Sequence, residues 1–298
     1  MPPVPARNQH LRGALMVLTS AVLWSTAGIF VRQLEMNTWA MIAWRSFFAF
    51  ISLTLLMAAC GYLRHFTFRR DVGLPGVITA VVMATSMFCY VAALKLTSVA
   101  GVMTVYATIP FFAMGLGWLV QREKITRRAL LSAVVSLGGV ILMAISASGP
   151  GDTSGNLLAL AMTVGFAASI VMSGKWPEMN LPAVTALACA MCGAGCFVMM
   201  PRGLPLPDLQ DMGWLLIFAL ATQSLSYLLF LAGSRYIVSA EASLIAQVDI
   251  ILGPFWVWLF FSEIPSRYTL LGGSMVFVAV TLYLASEYCL KNKTTRSD

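Results

Sequence analysis

The sequence predicts an all-α membrane protein in which ten transmembrane helices form two inverted five-helix repeats around a central cavity. Three observations predict it: an apolar excess, the spacing of the apolar runs, and a match between the two halves. Hydrophobic residues make up 59% of the 298 and charged residues only 10%. A soluble domain carries roughly 45–50% apolar and about 25% charged residues. A soluble core of this size could not hide so much apolar surface, so the excess faces lipid.

The apolar runs fall at 12–34, 38–60, 72–94, 98–120, 129–147, 155–175, 183–200, 212–235, 240–262 and 268–288. Each is close to the ~20 residues that cross ~30 Å of hydrocarbon. The first run is too long for the core of a signal peptide, so a retained first helix is expected. The break from Ser148 to Gly155, rich in Gly and Ser, reads as a flexible connection. It divides the chain into a first five-helix repeat, 1–149, and a second, 150–298.

Shifting the sequence by 140 residues lays Trp118, Leu119 and Glu123 on Trp258, Leu259 and Glu263. The same shift pairs Lys95 with Arg235 and Ala100 with Ala240, and a shift of 142 pairs Gly13 with Gly155. Five helices per repeat is an odd number, so the second copy enters the membrane from the opposite side and the repeats are inverted. The loop charges fit this arrangement. The basic residues of both tails and of 64–70 and 122–128, with Lys175 and Arg235, fall on one side, leaving Arg32, Lys95, Arg202 and Arg267 on the other and Arg45 inside a helix near that face. By the positive-inside rule both termini are expected in the cytoplasm.

The net charge of +7 is carried by these juxtamembrane residues and does not point to nucleic acid. No Walker-type phosphate loop is present, so nothing suggests direct use of ATP. His10 and His65 are the only histidines, which excludes an H-E-x-x-H metal site, and no Gly-x-Ser-x-Gly pattern occurs. The chain is not expected to be an enzyme or to need a cofactor or metal. Cys189, Cys192 and Cys196 share one helix face and read as small packing residues beside Gly193 and Gly195.

Polar residues within apolar runs are costly, so they mark candidate sites. Arg45 lies about seven residues into the second helix. It either snorkels to the surface or meets an acidic group, internal or on a substrate. Asp249 is the acid nearest the middle of a helix, and is either a proton carrier or a carboxyl that pins helix packing. Pro110 and the pair Gly253-Pro254 interrupt the fourth and ninth helices and are the candidate hinges. Deep aromatic and polar side chains suit a pocket for an apolar or aromatic solute with a polar handle. The candidates in the first half are Trp24, Thr26, Tyr90, Tyr106 and Thr108. In the second half they are Ser169, Gln223, Tyr227, Ser243 and Gln247. Glu123 and Glu263 stand at equivalent helix ends and are expected to cap neighbouring helices or pair with basic residues.

Several motifs resemble one family. They are Ala21-Val22-Leu23-Trp24-Ser25-Thr26 in the first helix, Ala43-Trp44-Arg45 in the second, and Ala92-Ala93-Leu94-Lys95-Leu96-Thr97-Ser98. Pro110 followed by Glu123, and Leu259-Phe260-Phe261-Ser262-Glu263, complete the set. Over residues 13–288 the chain resembles the EamA-type branch of the drug/metabolite transporter superfamily. It departs from that pattern in lacking a proline at 250 and in carrying Asp249. The resemblance implies secondary transport of small metabolites, commonly export of amino acids, across a bacterial inner membrane. It also implies a pore lined mainly by helices 1, 3, 4, 6, 8 and 9. Within the superfamily the chain looks most like the YddG-like exporters of aromatic or bulky amino acids. The expected partners are a small-molecule substrate and the bilayer, and a monomer is compatible with the sequence. A facilitative channel or an exporter of other metabolites or drugs is the alternative, and a lipid-processing membrane enzyme is a further one.

Overall fold

The computed structural model describes residues 7–61, 66–121, 127–145, 150–201, 206–234, 236–237, 242 and 245–297. The regular elements among the described residues are all helices, with no strand. Span 1 comprises α1 (Arg7–Ser25) and α2 (Ala27–Gln33), and span 2 is α3 (Thr38–Ala59). A short α4 (Phe68–Asp71) leads into span 3, α5 (Gly73–Leu96). Span 4 comprises α6 (Val99–Tyr106) and α7 (Ile109–Gln121), and span 5 is α8 (Arg127–Ile145). Spans 6 and 7 are α9 (Pro150–Lys175) and α10 (Leu181–Met199). Span 8 comprises α11 (Leu209–Ala219), a π-helical turn (Leu220–Leu225) and α12 (Ser226–Gly233). Spans 9 and 10 are α13 (Val248–Phe261) and α14 (Arg267–Ser297). Seven spans are long and apolar enough to cross a membrane, and the apolar stretches of spans 5, 9 and 10 are shorter.

Side chains cap several helix starts, as free N–H groups in an apolar medium require. Asn37 accepts from Trp39 N, Ser98 from Gly101 N, and Asn180 from Ala183 N. The outer surface is apolar. On α8, Leu130, Val134, Leu137 and Ile141 follow a helical stripe and are all about half exposed or more. Such a stripe is a lipid-facing surface. Trp118 and Leu119, and their repeat partners Trp258 and Leu259, are likewise exposed.

The packing carries the two-fold relation. Exchanging span n with span n + 5 turns the α5–α9 contact into the α12–α1 contact. It turns α7–α9 into α13–α1, and α5–α10 into α11–α3. The contacts α3–α10, α8–α14 and α6–α13 map onto themselves and so lie on the axis. The glycine matches are explained at the same time. A side chain on Gly13 would meet Tyr236 Cβ at 2.6 Å and Gly233 O at 2.9 Å, and one on Gly155 would meet Thr97 Cβ at 2.7 Å. Gly13 also faces Ile237 Cγ2 at 3.1 Å, and positions 97 and 237 are 140 apart, so each glycine admits the equivalent partner span at the opposite end of the bundle.

Two expectations are corrected. The stretch from Pro150 to Gly155 is not a loop: it forms the first turns of α9, and 146–149 lie outside the described residues. Gly253 and Pro254 do not break span 9, because α13 runs unbroken from Val248 to Phe261 with Pro254 inside it. The interruption falls earlier, at Gln247, where α13 begins after a turn. Its counterpart in span 4 is the turn at Ala107 and Thr108, before Pro110. These turns are 140 residues apart, so the breaks keep the register that the prolines do not. Pro110 is the second residue of α7, where a missing N–H costs nothing because that donor has no intrahelical partner.

Candidate functional site

A cavity of about 170 Å³ opens in the middle of the bundle. One water needs only ~10–15 Å³, so the space suits a small solute. Residues from spans 1, 3, 4, 6, 8 and 9 line it, joined by Arg45 of span 2. The break in span 1 brings Trp24 and Ala27 to the cavity, and Trp24 packs on Phe230 with ring centroids 5.3 Å apart. The break is locked by Ser25, whose hydroxyl donates to Val22 O at 2.7 Å and accepts from Trp256 Nε1 at 2.9 Å. Tyr90 on α5 and Tyr106 at the end of α6 face the same space, with Tyr106 6.2 Å from the Phe166 ring.

Arg45 and Asp249 are the only fully buried charged side chains among the described residues, at 3% and 5% exposure. Arg45 does not snorkel. Its Nη2 donates to Gln223 Oε1 at 3.1 Å and to Thr222 Oγ1 at 3.3 Å, and its guanidinium lies 4.5 Å over the Phe218 ring. The π-helical turn makes this possible. One extra residue in the turn re-aims the backbone, so Thr222 and Gln223 meet Arg45. Ser224 reaches past them to Ser52, 2.6 Å away. Arg45 Nε and Asp249 Oδ1 are sealed from solvent without a hydrogen-bond partner. Among the described residues neither charge has an oppositely charged partner within 4 Å.

The structure brings Trp24, Tyr90, Tyr106, Gln223, Tyr227, Arg45 and Asp249 to this one cavity. Other candidates lie elsewhere. Thr26 donates to Leu23 O at 2.6 Å inside the span 1 break, and Ser169 donates to Gly165 O at 2.9 Å. Thr108 donates to Val105 O and borders a separate cleft with Phe111 and Phe112. A hydroxyl surrounded by hydrocarbon takes the nearest free carbonyl of its own helix, and the side chain is then held against that helix. Gln247 sits at the span 9 break with its Oε1 buried and without a partner. Ser243 lies outside the described residues. Gly253 packs beside Met103, which lines the cavity: a Cβ there would make ordinary contact with Met103 Cγ at 3.4 Å.

Residues not foreseen as lining are Met83, Met87, Met103 and Met162, with Thr222, Phe166 and Phe230. The mid-span methionines were the available signal, since flexible thioethers line surfaces that must adapt to a ligand.

A polar network ties one end of the bundle. Arg32 at the end of α2 pairs with Glu263 at 2.8 Å and donates to Leu94 O at 2.8 Å and Thr97 O at 3.0 Å. Glu263 also accepts from Val99 N at 3.1 Å, capping α6. Capping is the role expected for this residue; Glu123 lies outside the described residues. Lys95 donates to Leu34 O at 2.6 Å beside the network. The ends of spans 1, 3, 4 and 9 are thus held together over the cavity. At the opposite end, Lys175 is exposed and stacks on Trp176 at 5.1 Å.

The sequence pattern of the EamA-like transporter family matches residues 11–145 and again 153–285. An uncharacterized transporter of Archaeoglobus fulgidus is 23% identical over 273 residues, covering 91% of this chain and 95% of that protein. A crystal structure of another protein aligns with a TM-score of 0.65 at 16% identity over 94% of this chain and 98% of the other. At that identity the likeness is one of fold.

Proposed function

Because this chain belongs to the EamA-like transporter family, we propose that it is a secondary transporter that exports small metabolites, aromatic or bulky apolar amino acids above all, by alternating access. The supporting observation is the mid-bundle cavity, which both repeats contribute to and whose aromatic and thioether walls carry a few polar groups. Such a lining grips an apolar body and orients a polar head. This composition favours the YddG-like subtype of amino acid exporter. The family resemblance implies a bacterial inner membrane, and the basic loops favour both termini in the cytoplasm. The Arg32–Glu263 network then faces outward and ties the ends of spans 1, 3, 4 and 9 on that side.

Purified protein in proteoliposomes, loaded with labelled phenylalanine and challenged with a panel of amino acids, tests this reading. Saturable efflux accelerated by unlabelled substrate on the opposite side is expected of a carrier. Linear, unsaturable flux indicates a channel and overturns alternating access. Trp24→Ala and Tyr106→Ala are expected to lower transport roughly thirtyfold with normal expression, since removing a well-packed aromatic anchor costs about 2 kcal/mol. Unchanged transport by both variants removes them from the site. Arg45 and Asp249 are the coupling candidates. Asp249→Asn is expected to remove the pH dependence of transport, and an unchanged pH profile ends its role as a proton carrier.

A further inference from the structure

Resting on the amino acid reading, we propose that Arg45 and Asp249 are the two poles of a zwitterion site, holding the α-carboxylate and the α-ammonium of one amino acid. Both charges border the same cavity, and each is incomplete. The Arg45 guanidinium uses Nη2 on the neutral oxygens of Thr222 and Gln223 and stacks on Phe218, and no carboxylate among the described residues neutralises it. Asp249 has a buried oxygen without a donor. Burying a charge is unfavourable unless it is paired. Two opposite charges that share a cavity but do not pair with each other leave a place for a ligand bearing both. Tyr90 lines the same cavity as both groups.

The poles also define what the site rejects. An amine leaves Arg45 unpaired and a carboxylic acid leaves Asp249 unpaired, whereas an amino acid satisfies both. A site with buried polar groups discriminates strongly against a ligand that leaves one of them without a partner. The apolar remainder of the cavity, with Met83, Met103 and Phe230, accepts the side chain. An ammonium and a proton compete for the same carboxylate, so substrate release and protonation of Asp249 are linked through one group.

The test is competition against labelled L-phenylalanine in proteoliposomes by L-phenylalanine, phenethylamine and 3-phenylpropionate. Phenethylamine lacks the carboxylate and 3-phenylpropionate lacks the ammonium. Wild-type protein is expected to prefer phenylalanine over either analogue at least tenfold. Arg45→Met is expected to reduce the preference over phenethylamine to within about twofold and to keep the preference over phenylpropionate. Asp249→Asn is expected to do the reverse. If wild type transports phenylalanine but takes both analogues within twofold, the two-pole site is overturned while the amino acid reading stands. Equal loss toward all three ligands in both variants, with unchanged melting temperatures, also overturns it. Failure of wild type to move any amino acid rejects the amino acid reading itself, and the proposal with it. Arg45→Lys and Asp249→Glu retain charge and are expected to retain the selectivity pattern. If the neutral variants do not fold, the wild-type competition decides alone.

Discussion

Gly13→Val is expected to lower the melting temperature by roughly 5–10 °C and to cut the folded yield, because spans 1 and 8 could no longer close at their crossing. A Cβ at Gly13 would stand 2.6 Å from Tyr236 Cβ and 2.9 Å from Gly233 O. The contact is reciprocal, since a Cβ at Gly233 would stand 2.8 Å from Gly13 O. These neighbours are backbone and Cβ atoms, which cannot rotate aside. Over-packing costs about 1–3 kcal/mol in cores that relax, and this crossing relaxes only by separating two spans. At roughly 2–4 °C per kcal/mol for chains approaching this size, the upper half of that range gives the stated shift. Gly155→Val should do the same at the opposite end, against Thr97. Gly195→Val is the control: no atom lies within 4 Å of a Cβ there, and the position is exposed. Thermal unfolding in detergent, followed by size-exclusion chromatography, checks all three. Equal melting of Gly13→Val and Gly195→Val would refute the close-packing account.

The second large effect is expected at Arg32. Arg32→Met removes the partner of Glu263 and the donors that cap Leu94 O and Thr97 O. Hydrogen bonds involving a charged group contribute about 1.5–3 kcal/mol each when buried. This pair is about a quarter exposed, at 23% and 25%, so the lower end applies. A change of that size shifts the balance of closed and open states at this end roughly tenfold. The cavity should then admit reagent from the Glu263 side. The measurement is labelling of Ser86→Cys, in a background free of native cysteines, by a membrane-impermeant thiol reagent. A severalfold faster rate in Arg32→Met is expected, and an unchanged rate would mean that the network does not gate the cavity. Glu263→Gln keeps the shape and a neutral acceptor for Val99 N, and should give a smaller increase.

Much of the architecture is legible in the chain because the bilayer constrains it locally. A span must be long, apolar and internally hydrogen-bonded, and each property is carried by consecutive residues. The repeat is legible for the same reason. Trp118 and Trp258 recur because equivalent helices end at equivalent lipid-facing positions. The candidate site is less legible. In a soluble helix the apolar phase shows which face is buried. Here both faces are apolar, so that signal is silent, and hydroxyl groups are a poor substitute. Thr26, Thr108 and Ser169 satisfy themselves on their own helices; Thr222 does the same on Phe218 O, yet its oxygen also accepts from Arg45 at the π-helical turn. A proline suggests a hinge, yet Pro254 sits inside a continuous helix and the break is at Gln247.

By itself the sequence determined ten spans, their inverted pairing and the family, since hydropathy, span length and register are all linear properties. Only the tertiary structure decided how each helix is rotated about its axis. That rotation arises from packing between spans, such as Gly13 against Gly233 and the π turn against Arg45. It is what placed one buried cation and one buried acid on a single cavity.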